Sequence, residues 1–571
     1  MGQKVVIIGG VAAGPKAACR LKRLDPSADA IIVEQDRFIS YGGCGIPFYI
    51  SDDIPNEKEL MSTSFHVIRD EKFFLEGKGV KVLTRTRALN INRSEKKVEI
   101  ENLDTGEKDF LEYDKLVLAT GSIPNVLPIP GSDLGNVFTV SNINSALKLK
   151  SMITRGKVEK AVIIGGGAIG IEMAEAISDM WEIDTTIVEY MDHLLPFMFD
   201  YNFAQMVKAE LEKNDVKVYV GERVESLEGD SQGNVRKVIT NNRTLDTDLV
   251  IMCVGVRPND ELAKKAGLAV GDKGGILVDK HLCTSDPSIY AGGDCILNTN
   301  LLTGKRMYLP LGSLANRHGR VIGSNLAGKP ETFDEVVGSF IIKVFDICAG
   351  SAGLSLESAL IERINADRVL TVGYDRAHYY PTRSLLYLQL VVDKQTRRIL
   401  GFQAIGDNND AVSVRLDSIV ALMQGNFTVD KVSNLEIAYS PPYASAMDSL
   451  NALGNTAANF LDGLYKRMEV KEFLDIIGDL KKHNAIILDS NAEIAAKPYV
   501  EKFGDSWLNI PYMDVRRNIE KIPRDKKIIT ICDSGIRSYE IQLLLNSHGY
   551  EDVICLEGGL NLINKMGIKI V

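Results

Sequence analysis

Two cysteines stand in settings suited to thiol chemistry. Cys44 lies in Ser40-Tyr41-Gly42-Gly43-Cys44-Gly45-Ile46-Pro47, a lone thiol framed by glycines. Glycine lets backbone lie flat against a bulky ligand, because no Cβ intervenes. Pro47 suits a first helical position, which predicts Cys44 near the positive end of a helix dipole and favours its thiolate. Unpaired cysteines are usually small buried core residues. A core position needs no glycine frame, so Cys44 is read as the reactive centre. Cys532 opens a second site, where the apolar run Ile528-Ile529-Thr530-Ile531 enters Cys532-Asp533-Ser534-Gly535-Ile536-Arg537-Ser538 and then a helix from Tyr539. Backbone N–H groups of such a loop form an anion-binding nest that stabilises a thiolate. No cysteine follows Cys44 within a few residues, so its oxidised form is a mixed disulfide, a persulfide or a sulfenic acid.

The elements that position Cys44 begin at the N-terminus. Val5-Val6-Ile7-Ile8 reads as a strand buried on both faces. It enters Gly9-Gly10-Val11-Ala12-Ala13-Gly14, a helix over Lys16–Leu24, and a strand Ile31-Ile32-Val33 ending in Glu34, 20 residues after Gly14. That is a dinucleotide fingerprint: glycines for the tight turn, a helix N-terminus for pyrophosphate, an acid for ribose hydroxyls. A second copy follows: Ala161-Val162-Ile163-Ile164, then Gly165-Gly166-Gly167-Ala168-Ile169-Gly170, a helix, and Thr186-Ile187-Val188 ending in Glu189, 19 residues on. One glycine loop is often only a turn; two complete strand–loop–helix–strand units predict two dinucleotides. No arginine closely follows Glu189, and its carboxylate would repel a 2′-phosphate, so NADH is expected rather than NADPH.

The chain has 571 residues and a net charge of −10. The length suggests roughly three to five domains. The negative balance disfavours nucleic acid or an anionic membrane as partner. No apolar run reaches about 18 residues, and the N-terminus passes straight into a strand, so a cytoplasmic protein is expected. Eight cysteines without a C-x-x-C pair give no metal or dithiol motif and fit a reducing compartment.

Three more strand–glycine junctions follow: Lys115–Gly121, with Ala119-Thr120-Gly121; Ile251–Pro258, broken at Gly255; and Ser288–Asp294, closing on Gly292-Gly293-Asp294. With the two fingerprints, this set resembles the two-dinucleotide FAD/NAD disulfide reductases. The resemblance implies that the Ala119–Gly121 stretch and Asp294 touch the flavin region. It also implies an α/β fold: a discontinuous FAD-binding domain (1–121 and 255–330) interrupted by an NAD-binding domain (122–254), then an α+β dimerisation domain (331–450). Residues 451–466, with Gly454 and Gly463, read as a linker, and 467–571 as a compact α/β domain. Its C-x-x-G-x-R-S loop, Cys532 to Arg537 and Ser538, resembles the persulfide-forming loop of rhodaneses. The usual Asp-Val-Arg is Asp489-Ser490-Asn491 here, and Trp507-Leu508-Asn509-Ile510-Pro511 replaces the usual His-Ile before Pro.

The whole chain resembles the CoA-disulfide and CoA-persulfide reductases with a fused rhodanese. That resemblance implies an NADH-dependent homodimer acting on CoA persulfide, polysulfide or CoA disulfide through Cys44. An NADH oxidase or peroxidase would share the flavoprotein core, but oxygen chemistry has no use for a persulfide carrier. A non-enzymatic redox sensor is disfavoured because both nucleotide sites look complete. Lys16, Arg20 and Arg23, spaced i, i+4, i+7, share a helix face and are candidates to hold the phosphates of coenzyme A, with Ser40 and Gly43 beside the thiol. Family members often carry Asn where Gly43 stands. Tyr439, in Glu436–Tyr443 and from either the same or the other subunit, and Tyr380, in His378–Pro381, are candidates to protonate or hold the leaving group, although an isolated tyrosine is usually a packing residue.

Overall fold

The valine- and isoleucine-rich runs become strands with both faces covered. In a computed structural model, which describes residues 2–571, Lys4–Ile8 pairs in parallel with Asp29–Val33 and Lys115–Leu118. Ile289–Ala291 and Lys81–Leu83 complete a five-stranded parallel sheet. A second five-stranded parallel sheet is ordered Lys217–Tyr219, Asp184–Val188, Lys160–Ile164, Leu249–Met252, Val137–Thr139. Both sheets belong to one compact unit, residues 2–190 with 215–336. Between them the chain passes through two short strands, Ser122–Pro124 and Val256–Pro258, paired antiparallel.

In the first sheet, helix Ala13–Leu24 packs along Gly312–Leu326. Gly319 and Gly323 make that approach possible: a Cβ at either would fall 2.7 Å from Lys16 Cβ or 2.6 Å from Arg20 Cβ. The stems of Lys16 and Arg20 therefore pack on glycine.

The other unit comprises residues 191–214 with 337–571. Its antiparallel sheet runs Ser339–Val344, Ile347–Gly353, Ile399–Gly406, Leu385–Asp393, Ala366–Tyr374. Ile347–Gly353 gave no strand signal, because its Ala, Gly and Ser carry little periodic hydrophobicity. A five-stranded parallel sheet follows, ordered Arg467–Met468, Val553–Leu556, Lys527–Ile531, Ala485–Asp489, Trp507–Asn509.

Two expectations about organisation change. Residues 191–214, inside the stretch expected to bind NAD, pack with the antiparallel sheet. Phe199 stacks on Phe203 and meets Phe340 edge-on, and half-buried Asp200 accepts from Gln389 Nε2 at 2.5 Å and Gln403 Nε2 at 2.8 Å. The expected linker 451–466 is largely the helix Ser449–Leu461, capped by the Asp448 side chain and burying Leu450, Leu453 and Ala457. Gly454 suggested a break; instead its bare backbone lets helix Val429–Ser433 approach, since a Cβ would fall 2.4 Å from Ser433 N.

Candidate functional site

The two glycine loops are near copies in space. Gly9 and Gly165 adopt φ of 110° and 109°, a region L side chains rarely enter. Their amides donate to the preceding strand partners, Val33 O at 3.0 Å and Val188 O at 2.8 Å. A Cβ on Gly14 would sit 2.0 Å from Gly9 O, and one on Gly170 would sit 2.1 Å from Gly165 O, so each helix closes tightly on its loop. In each, the terminal acid accepts from the second glycine: Gly10 N to Glu34 Oε2 at 2.7 Å, and Gly166 N to Glu189 Oε2 at 2.6 Å. Around Gly167 nothing would meet a Cβ within 4 Å, leaving open space at the start of helix Ala168–Ser178. Burial, only partly offset by its backbone hydrogen bonds, pushes the Glu34 carboxyl up.

The junction loops gather beside the first module. Ala119 N donates to Ile8 O, and a Cβ on Gly9 would strike Ala119 O. Thr120 Oγ1 donates to Asn259 O at 2.6 Å. Gly121 and Gly255 both take left-handed φ, 70° and 82°. Asp294 accepts weakly from Ser122 Oγ at 3.4 Å, and burial pushes its carboxyl up. Nearby, the Tyr308 hydroxyl is buried without a hydrogen-bond partner. An orphaned donor, a desolvated carboxylate and open backbone at Gly121 fit a polar cofactor that would complete them.

Cys44 sits in the one-turn helix Gly43–Gly45, just before the five-residue helix Ile46–Ile50. The loop is pinned to the first module by Ser40, whose amide donates to Gly10 O at 2.7 Å with φ of 50°. Cys44 is exposed, its Sγ 3.4 Å from where a Gly312 Cβ would lie, and Gly43 faces open space but for Tyr41 Cε2 at 4.0 Å. The expected thiolate stabilisation is not found. Desolvation raises the Cys44 thiol, and the Glu172 and Asp294 carboxylates raise it further. A five-residue helix offers too weak a dipole to outweigh them.

Glu172, on helix Ala168–Ser178, is the residue that sequence reasoning missed. Burial first, then Glu175, pushes its carboxyl up to about 7. Its position two residues after Gly170 carried no signal, because the helix joins Cys44 only through the fold.

Among the basic residues, Lys16 and Arg23 are exposed. Arg20 is half-buried, and its Nε donates to Ser324 Oγ at 2.9 Å. In the other unit, the Tyr439 hydroxyl meets Tyr379, not Tyr380, at 3.4 Å. Tyr439 is 49% exposed and Tyr443 77%, so neither is packed within the chain. The hydrogen bond to Tyr379 raises the Tyr439 hydroxyl.

Cys532 is buried at the end of strand Lys527–Ile531, and the Gly535 amide donates to its Sγ at 3.1 Å. Arg537 Nη2 donates to Asn491 Oδ1 at 2.7 Å and Asp533 Oδ2 at 2.8 Å. Asn491 thus does from a different side chain what an acid could do for this guanidinium. Asp489 instead accepts from Trp507 Nε1 at 3.0 Å, and burial pushes its carboxyl up.

The model of the pyridine nucleotide-disulphide oxidoreductases matches residues 3–319. The chain belongs to that family. The model of the family's dimerisation domain matches residues 339–450, and that of the rhodanese-like domain 484–566. A CoA-dependent NAD(P)H sulfur oxidoreductase of Pyrococcus abyssi is 35% identical over 449 residues, 79% of this chain and 97% of that one. Among solved structures, the NAD-dependent persulfide reductase of A. fulgidus is 38% identical with a TM-score of 0.92, covering 98% of this chain and 99% of its own. The reduced CoADR-RHD of Bacillus anthracis is 31% identical with a TM-score of 0.90, covering 99% and 98%. As a pyridine nucleotide-disulphide oxidoreductase the chain uses FAD and a pyridine nucleotide, and the paired glycine loops with their acids fit two dinucleotides.

Proposed function

We propose that this oxidoreductase uses NADH to reduce CoA persulfide, and through it polysulfide, with Cys44 as the redox thiol and Cys532 as the sulfane-sulfur carrier. FAD occupies the Gly9–Gly14 loop with Glu34, Ala119–Gly121 and Asp294. NADH occupies the Gly165–Gly170 loop with Glu189 and Gly255. The domain limits follow: FAD-binding 1–121 with 255–330, NAD-binding 122–254 without 191–214, then dimerisation from 331 through the helix at 449–461, then the sulfur-handling domain. The observation that carries the reading is the pairing of an exposed, glycine-framed Cys44 with a second thiol, Cys532, that receives a backbone N–H at its Sγ.

The Cys532 thiolate attacks the terminal sulfane sulfur of polysulfide. One S–S bond breaks, a new one forms at Cys532, and the shortened polysulfide leaves with the electron pair. A CoA thiolate takes the outer sulfur and returns Cys532 to its thiolate. Cys44 then attacks the CoA-bound sulfur of CoA persulfide, forming a Cys44–S–S–CoA mixed disulfide and releasing hydrosulfide. FAD held by the Gly9–Gly14 loop would supply the two electrons of NADH that return this disulfide to the Cys44 thiolate and free CoA, whose leaving sulfur takes a proton. Tyr439, paired with Tyr379 and aided by Tyr380, protonates the departing CoA sulfur. Lys16 and Arg23 hold the CoA phosphates with Arg20 behind them, and Ser40 and Gly43 border the thiol. The exposed Tyr439 and Tyr443, with the matched dimerisation domain, support a homodimer. Chemistry that needs two free thiolates supports a cytoplasmic setting.

The test compares the Cys532→Ser variant with wild type on two substrates. Preformed CoA persulfide should be reduced at nearly the wild-type rate, while use of polysulfide with catalytic CoA should fall. Equal rates on both substrates would remove Cys532 from the pathway.

A further inference from the structure

A buried ion network ties the Cys532 loop to the antiparallel sheet of the same unit. Glu557 follows strand Val553–Leu556 directly and is fully buried. Its Oε2 accepts from Arg368 Nη1 at 3.1 Å, and its Oε1 accepts from the Leu370 amide at 3.0 Å. Arg368 and Leu370 both lie on Ala366–Tyr374, the edge strand of that sheet. Arg467 adds a second cation 3.6 Å from Glu557. Glu469 pairs with both arginines, and Asp367 with Arg467; Tyr465 also faces Glu557. The network extends inward, since Arg368 Nη1 donates to Gln389 Oε1 and Gln389 Nε2 donates to Asp200.

From Glu557 the chain turns directly onto the sulfur loop. Gly558 and Gly559 have φ of 69° and 60°, and a Cβ on Gly559 would fall 2.2 Å from Cys532 O. Only glycine permits that turn at that distance. The Leu560 amide then donates to Cys532 O at 3.0 Å, and the Asn561 amide to Asp533 O at 2.8 Å. Tyr387, on the next strand of the antiparallel sheet, donates to Asn561 O at 3.3 Å. Two backbone bonds therefore fix the first peptides of the loop that aims Gly535 N at Cys532 Sγ, and both are placed by the residue that Arg368 holds.

We propose that Glu557 is a positioning residue for sulfur transfer at Cys532, and that Arg368 sets it, so that the loop reaches its thiolate-stabilising shape only when docked on the antiparallel sheet. This rests on the sulfane-sulfur reading of Cys532. A buried ion pair adds little net stability compared with apolar residues of the same size, whereas deleting one partner strands a charge. Register between two domains is what such a network can supply. Losing it displaces the Gly558–Asn561 turn, and the loop N–H groups lose their aim at sulfur.

The experiment uses full-length Glu557→Gln, which keeps the shape and the Leu370 acceptor but loses the charge, together with Arg368→Met and Arg368→Lys. The rate of persulfide formation at Cys532 from polysulfide is followed by peptide mass across neutral and alkaline pH, alongside turnover of preformed CoA persulfide and the melting temperature. Glu557→Gln and Arg368→Met should slow persulfide formation by about tenfold or more and move its pH midpoint up by about one unit. Arg368→Lys should restore part of the rate. CoA persulfide turnover should stay within about twofold of wild type, as Cys44 belongs to the other unit. Where a variant fails to fold, Tyr387→Phe decides, since it removes only the hydroxyl bond to Asn561 and should still shift the midpoint. Wild-type rates with an unmoved midpoint overturn the proposal. A wild-type protein that forms no persulfide at Cys532 overturns instead the sulfur-carrier reading beneath it.

Discussion

The Gly166 amide donates to Glu189 Oε2 at 2.6 Å, fixing a carboxylate that is only 8% exposed at the end of strand Asp184–Val188. Held there, it would accept ribose hydroxyls and repel a 2′-phosphate, as proposed above. NADH should therefore be the preferred donor. Glu189→Arg should move kcat/KM toward NADPH by about tenfold or more, read from steady-state rates with both nucleotides. Equal use of NADPH by the wild type would contradict the assignment.

Glu172 opposes ionisation of Cys44, so its charge has a predictable sign. Desolvation and two carboxylates hold the Cys44 thiol above its ordinary value. Removing one of those carboxylates in Glu172→Gln should favour thiolate. The midpoint of Cys44 alkylation against pH should fall by about half a unit to one unit. A midpoint that rises or stays fixed means that Glu172 does not act on this thiol.

Cys44→Ser should still bind FAD and still be reduced by NADH, because neither glycine loop includes the thiol. Turnover of every sulfur substrate should be lost. In the wild type, intact mass should detect a CoA-sized adduct on Cys44 after oxidation. Unimpaired turnover in the variant would take Cys44 out of the reaction.

Tyr439→Phe should slow sulfur-substrate reduction by about 10²-fold without slowing flavin reduction, since only the leaving sulfur needs a proton. Tyr379→Phe should show a smaller loss, because its hydroxyl is the partner of Tyr439. A silent Tyr439→Phe beside an impaired Tyr443→Phe would keep the loop and change the residue.

The parallel strands, both glycine loops and the Cys532 loop were legible because each is a local pattern: an apolar run, a glycine and an acid at fixed spacing. What was not legible depends on long-range packing. Glu172 reaches Cys44 from a helix more than a hundred positions away, and its sequence surroundings differ little from any helical acid. Gly454 reads as a breaker, yet it is a contact glycine inside helix Ser449–Leu461. Phe199 and Asp200 carry no mark that their partners lie at Phe340, Gln389 and Gln403. Pro47 suggested a helix dipole at Cys44 correctly in position but not in strength, as the helix ends at Ile50.

The most direct measurement is NADH oxidation by the full-length protein with CoA persulfide, CoA disulfide and oxygen as sole acceptors, compared as kcat/KM. CoA persulfide places one bulky group at Cys44 and CoA disulfide two, and Gly43 leaves open the space beside the thiol. CoA persulfide should be the best acceptor, and oxygen the poorest. Faster turnover of CoA disulfide, or of oxygen, would contradict the central claim.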